Sequence, residues 1–481
     1  MGTRSIIARQ LLMKKTPFPR MFVSAIVVIG LVGAVFPFGS VQGDTNISGI
    51  INSNVTWTQA GSPYTLTGNL LVQKDVTLTI NPGTTVNLGS YYIMVNGTLE
   101  AIGTTDNPIV FNGGSITFTS SSTAWNSQTQ SGCIIENAIL TTMISSENAL
   151  KMNSNTINSA LTVTSDTIVT NNIIKGNING GIISGNTITG EANSANISYN
   201  NIKGTVSCSG IASNNYINGR IFANGNCVVT NNTIIGDTAS STDSIGIGVG
   251  SAYIGANGYP KIENNTIANN NVGISIGILI RSWFSINIPE IRNNLVTQNN
   301  IGIQYSISRQ ENWETNQTII ESNTITKNAI GVKIMGTAQE ILIANNNIQQ
   351  NTNYNIYLET TDAVNVPNNW WGTTDQSTIT NSFYDFNKDF NLGKVNFVPF
   401  LTAPNPNAPA ISTPTPTPSP ANSPSPTPPP TNLPSPQPSP TLTPTPSQEP
   451  QQTPIEVILG AAITVTILGA GLALLIYLMK R

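Results

Sequence analysis

The sequence contains no histidine, which removes imidazole general bases, Ser-His and Cys-His nucleophile pairs, and the usual His-containing zinc and copper sites. Carboxylates remain for acid–base work, yet between residues 44 and 402 the Asp and Glu residues are mostly scattered singly. The nearest approach to a metal site is Asp385, Asn387 and Asp389, whose alternating oxygens resemble the start of a calcium loop. Phe390 and Asn396 stand where such a loop needs Gly and Glu, so a plain structural turn is the competing expectation, and no cofactor is expected. Three cysteines, Cys133, Cys208 and Cys227, form no metal motif. They read either as small buried hydrophobes or as a Cys208–Cys227 disulfide with one thiol left over.

A second set of residues is suited to binding rather than reaction. Tyr253, Tyr259, Arg281, Trp283, Phe284, Arg309, Glu311 and Trp313 fall in three insertions, at about 251–261, 280–288 and 308–318. Aromatic faces beside hydrogen-bonding side chains suit a sugar ring, whose apolar face stacks while its hydroxyls are satisfied. The competing reading is that the tryptophans pack long loops onto the body.

What must position these residues is a repeat. Asn-x-Ile, or a close variant, recurs at Asn155, Asn172, Asn186, Asn200, Asn215, Asn232, Asn265, Asn294, Asn323 and Asn346, and ends at Asn369-Trp370-Trp371. The apolar residues are spaced 17, 14, 14, 15 and 17 residues apart, then 33, 29, 29, 23 and 23. Each spacing is read as one coil of a solenoid, because a single coil cannot cover its own apolar face whereas stacked coils line up one continuous core. The longer coils carry a second signal, Gly246-Ile247, Gly273-Ile274, Gly302-Ile303 and Gly331-Val332, which suggests two strands per coil. The asparagines are expected to turn the chain in left-handed backbone and to form side-chain ladders. Trp283 and Trp313 lie 30 residues apart where the coil spacing is 29, which predicts neighbouring positions on one flank.

Val76–Ile80, the turn Asn81-Pro82-Gly83, Ile93–Leu99 and Asn107–Phe111 resemble the opening coils of pectin-lyase-like right-handed β-helix proteins, known widely from bacterial and archaeal surfaces. Asn368–Thr373, Asp385 and Gly393–Leu401 resemble their terminal element. The resemblance spans roughly residues 50 to 402 and implies an all-β, right-handed parallel β-helix. It implies no particular activity. The Asn-Thr-Asp, Asp-Asp and Gly-His-Gly elements of hydrolytic polygalacturonases are missing.

The ends add topology. Residues 1–43 carry five basic residues and then an apolar run, the layout of a signal sequence or signal anchor. Residues 44–150 are expected to form N-terminal coils and 151–402 the repeats with a terminal cap. Residues 403–454 read as a disordered Pro/Thr/Ser-rich stalk. Residues 455–481 hold an uncharged run, Val457–Met479, long enough to cross a bilayer, with a short cytoplasmic tip at Lys480-Arg481. Sequons at Asn46, Asn54, Asn96, Asn196, Asn231, Asn264 and Asn316 are candidate glycosylation sites. The net charge of −3 and the lack of a basic run exclude nucleic acid as a partner. The membrane, and polysaccharide or surface glycans, are the expected partners. The expectation is a single-pass cell-surface protein with an extracellular β-helix, either a non-catalytic envelope, adhesion or glycan-binding module or a tethered polysaccharide lyase or hydrolase.

Overall fold

A computed structural model describes residues 44–236, 244–250, 258–279, 288–308, 317–338 and 340–411. Residues 1–43, expected to be a signal sequence or anchor, the expected stalk beyond Ile411 and the apolar run Val457–Met479 lie outside the described residues. Among the described residues, no helix is long and apolar enough to cross a membrane.

The chain coils as the asparagine spacing requires. Ile157, Ile174, Ile188, Ile202, Ile217, Ile234, Ile267, Val296, Ile325 and Ile348 stand in parallel register, each one coil above the last. Trp371 follows at the next level, beside the Asn347–Trp370 bridge. All are buried, and sequestering each Ile contributes on the order of 2 kcal/mol.

Each coil has three strand-bearing faces rather than two, although in some coils one strand, such as Asn201–Ser213, runs on from face to face. In one short turn of the solenoid Ile168–Thr170, Ile173–Ile174 and Ile178–Asn179 pair respectively with Ile182–Ser184, Thr187–Thr189 and Ala192–Asn193 of the next. We call the sheet that holds the Asn-x-Ile strands A, the one after it B, and the one that closes the coil C. The Gly-Ile strands, such as Val272–Leu279 and Ile301–Ser308, belong to sheet B. The strands of sheet C in the repeat, such as Lys151–Asn153, Glu290–Arg292 and Thr318–Glu321, are mostly three or four residues long and end against the turn, so no separate signal marks them in the sequence.

In the coils that carry the asparagine repeat, the corner from sheet C to sheet A takes two residues, and they divide the work expected of one asparagine. The first lies in left-handed backbone: φ is +56° at Asn171 and Asn214, +59° at Asn264 and +57° at Asn345. Asn reaches this region at lower cost than most residues. The second is the buried asparagine of the repeat. From Asn155 to Asn369 each such side chain donates through Nδ2 to the Oδ1 of the next at 2.9–3.0 Å, and that same Oδ1 accepts the main-chain N–H below it at 2.8–3.0 Å. A second ladder, Asn270, Asn299, Asn328 and Asn351, runs up the corner from A to B in the long coils. It explains the Gly-Ile signal: a Cβ on Gly302 would lie 2.6 Å from the Gly331 oxygen and 3.0 Å from Asn328 Nδ2.

Cys208 and Cys227 are joined in a disulfide inside the core, and Cys133 is a buried free thiol whose pKa burial pushes up to about 11. The disulfide spans 19 residues, for which chain-entropy arguments give about 3 kcal/mol. Replacing both cysteines by alanine is therefore expected to lower stability by about that amount in urea titration; an unchanged midpoint would show that stacking alone fixes these coils.

The last coil closes with a six-residue helix, Gln376–Asn381, capped by the Asp375 carboxylate. Hydrogen bonds from the Thr378 side chain and from the Thr378 and Ser377 amides hold that carboxyl below its usual range. Val364–Asn365 and Val395–Asn396 form a small separate sheet. Beyond it, residues 399–411 turn back along sheet A as a strap. Leu401 donates to Asn369 O (3.0 Å), Asn405 exchanges hydrogen bonds with the Asn347 side chain (2.7 and 3.1 Å), and the Pro409 oxygen accepts from the Thr324 hydroxyl.

Candidate functional site

On sheet B the outward-facing row ends in a polar and aromatic patch. Register aligns Ser275, Gln304, Lys333, Tyr357 and Tyr384 on successive coils. Tyr357 and Tyr384 stack at 4.5 Å with rings 8° from parallel, and Tyr354 meets Tyr384 edge-on at 5.3 Å. Lys333 Nζ lies 5.5 Å from the Tyr357 ring centre and 2.8 Å from Glu359 Oε1. All three tyrosines are half-buried. Burial first, and then the charge of Glu359, raises the Tyr357 phenol above its usual pKa, so it stays a neutral donor at physiological pH. The arrangement brings stacked aromatic rings together with a cation, a carboxylate and an amide. This is a binding chemistry.

Beside this row stand the roots of the three insertions. Their parent strands, Ile245–Gly250, Val272–Leu279 and Ile301–Ser308, pair in parallel with one another. Of the residues expected to bind there, Tyr253, Arg281, Trp283, Phe284, Arg309, Glu311 and Trp313 lie outside the described residues. Tyr259 is described: it is exposed, and its main-chain amide donates to Asn226 Oδ1 at 3.1 Å.

Charged side chains gather on sheet C. Glu263, Arg292 and Glu321 are register neighbours on three coils, and Lys261 pairs in register with Glu290. Arg292 bridges Glu321 and Glu290, the latter at 3.6 Å, and Asn345 Nδ2 donates to Glu321 at 2.9 Å. The guanidinium is thus already paired on two sides. Among the described residues no three Asp, Glu or Cys side chains are grouped as a metal requires.

At the terminal cap, Asp385 is fully buried and turned inward. Its oxygens accept from the Asn387 and Val395 amides at 2.9 and 3.0 Å, while Asp389 accepts from Asn391 at 3.0 Å. Asn387 lends Nδ2 to Asp385 at 3.4 Å. Both carboxylates serve their own turns. Among the sequons, Asn46, Asn54, Asn196, Asn231 and Asn264 are exposed and Asn96 is half-buried; Asn316 is outside the described residues.

The tyrosine patch escaped the sequence reading because Tyr357 and Tyr384 are separated by a helix and a loop that hide the coil period. A signal existed: counting from the Gly331-Val332 strand puts Lys333 and Tyr357 in one outward row.

Stacked parallel coils, asparagine ladders and an aliphatic core make this chain a parallel β-helix repeat protein. Residues 49–126 match the family described as a pectate-lyase like beta helix domain. No curated protein matches the chain.

Proposed function

We propose that the chain is a non-catalytic glycan-binding β-helix displayed at a cell surface, and that the Tyr354, Tyr357, Tyr384, Lys333 and Gln304 patch is the part of its site within the described residues. The stacked Tyr357–Tyr384 pair carries this reading: a half-buried ring pair at the end of a polar row suits contact with a sugar. The strands that lead into the insertions with Trp283 and Trp313, Val272–Leu279 and Ile301–Ser308, belong to the same sheet. The apolar run 457–479 anchors the chain, and the stalk holds the β-helix outside.

The decisive experiment is a glycan array probed with the full chain, with uronate polymers included and unsaturated products followed by absorbance. Tyr357→Ala with Tyr384→Ala is expected to weaken binding at least tenfold, about 1.4 kcal/mol, with the unfolding midpoint unchanged. Intact binding in that double variant would remove the patch from the function.

The enzyme reading draws on one observation, the Glu263, Glu290 and Glu321 carboxylates beside Arg292 on successive coils. Glutamates so placed could serve acid–base cleavage. Product release from uronate polymers, abolished by Glu290→Gln, would favour it.

A further inference from the structure

One outward row on sheet A is half covered. It comprises the middle residue of each Asn-x-Ile unit and runs Asn347, Thr324, Leu295, Thr266, Thr233, Tyr216, Asn201, Thr187, Ile173, in register from coil to coil. Under the strap Asn347, Thr324 and Leu295 are only 5%, 0% and 5% exposed. Here the row reads a peptide. Asn347 accepts the Asn405 amide and donates to its carbonyl, and the Thr324 hydroxyl donates to the Pro409 carbonyl. Pro409 and Ala410 then line a small cavity with Thr266 and Leu295. Beyond that level the row is bare: Tyr216 is 38% exposed and Ile173 49%. Yet it repeats the same reading set, with Thr233 and Thr187 where Thr324 stands, Asn201 where Asn347 stands, and Tyr216 in place of Leu295.

We propose that the open part of this row is a docking site for the segment that follows Ile411, Ser412-Thr413-Pro414-Thr415. The strap arrives at Thr266 travelling toward Tyr216, so the next residues are delivered to the row at the high effective concentration of a tethered ligand. Four residues of extended proline-bearing chain cover about 12 Å at about 3.1 Å each. Two coils, the distance from Thr266 to Tyr216, take about 10 Å at about 4.8 Å per coil. Pro414 then meets the Tyr216 ring, since proline rings dock on aromatic surfaces, and Thr233 or Asn201 takes main-chain groups in the manner of Thr324 and Asn347. The segment carries no charge, as an uncharged face requires.

Paired cysteines in the full chain test this. Thr233→Cys with Thr413→Cys, and Tyr216→Cys with Thr415→Cys, are expected to close disulfides within one chain in most molecules under mild oxidation. Ile139→Cys with Thr413→Cys, several coils further on, is expected to stay open. All these sheet positions face outward, and the native thiol Cys133 is buried. Three results would overturn the proposal: all pairs remaining reduced, the distant pair closing as readily as the near ones, or the near pairs joining only between two chains. The last would assign the bare row to a second copy of the protein.

Discussion

Replacing Asn265 by alanine is expected to lower stability by about 3–5 kcal/mol, whereas the same change at its neighbour Asn264 is expected to cost about 1 kcal/mol. Asn265 is buried and central to the ladder. Its Oδ1 accepts both the main-chain and side-chain N–H of Asn232, and its Nδ2 donates to Asn294 Oδ1 and to the carbonyls of Val229 and Glu263. Alanine leaves these partners buried and unsatisfied, at about 1–3 kcal/mol for each such group, with relaxation and water offsetting part of the sum. Asn264 is exposed and contributes its backbone, φ +59°. Alanine there meets only the left-handed strain, and glycine meets none. Urea unfolding with hydrogen exchange at coils 217–296 measures both. Equal losses at the two positions would mean that the ladder adds nothing beyond the turn.

Gly204→Ala is expected to be among the damaging glycine substitutions in the solenoid, at about 3 kcal/mol or more. Gly190, Gly204 and Gly219 stack on one another at φ +152° to +155°. A Cβ on Gly204 would sit 2.1 Å from the Gly190 carbonyl oxygen, and one on Gly219 only 1.9 Å from that of Gly204. The nearest atoms are all backbone of the neighbouring coil, which leaves no flexible group to yield. The contrast is Gly277 in sheet B, where a Cβ meets nothing within 4 Å. Gly277→Ala is expected to change stability by less than about 0.5 kcal/mol. A well-tolerated Gly204→Ala would show that the three short coils can shift apart, and their parallel register would need revision.

The register of the coils was legible because one chemical constraint, a buried amide paired above and below, recurs in a single motif. Ile157 to Trp371 could therefore be aligned by counting. The third strand was not legible because its residues, such as Ile182-Ile183-Ser184, abut the turn without a break, and its inward position is a single buried residue, Ile183. The labour of the corner was also invisible. Asn171 and Asn172 are the same residue type, yet the first supplies a left-handed backbone and the second a ladder amide. The disulfide could be named as a pair but not decided, since only the 14- to 17-residue coils around it bring Cys208 over Cys227. The tyrosine row depends on the unequal lengths of the last coils, which no local period encodes.

The two-residue corner that sheets C and A keep throughout the asparagine repeat has a consequence for how this part of the chain can change. Coil length varies from 14 to 33 residues between one C strand and the next, and every added residue enters after sheet A or after sheet B. The C–A corner behaves as the spine of a book whose pages differ in width. Inserting a residue there would slide one amide out of line with all those above it, while a long excursion at the B–C corner leaves the spine untouched. New surface can thus be gained on one flank by insertion alone, at no expense to the alignment of neighbouring coils, and it is from that flank that the aromatic insertions spring.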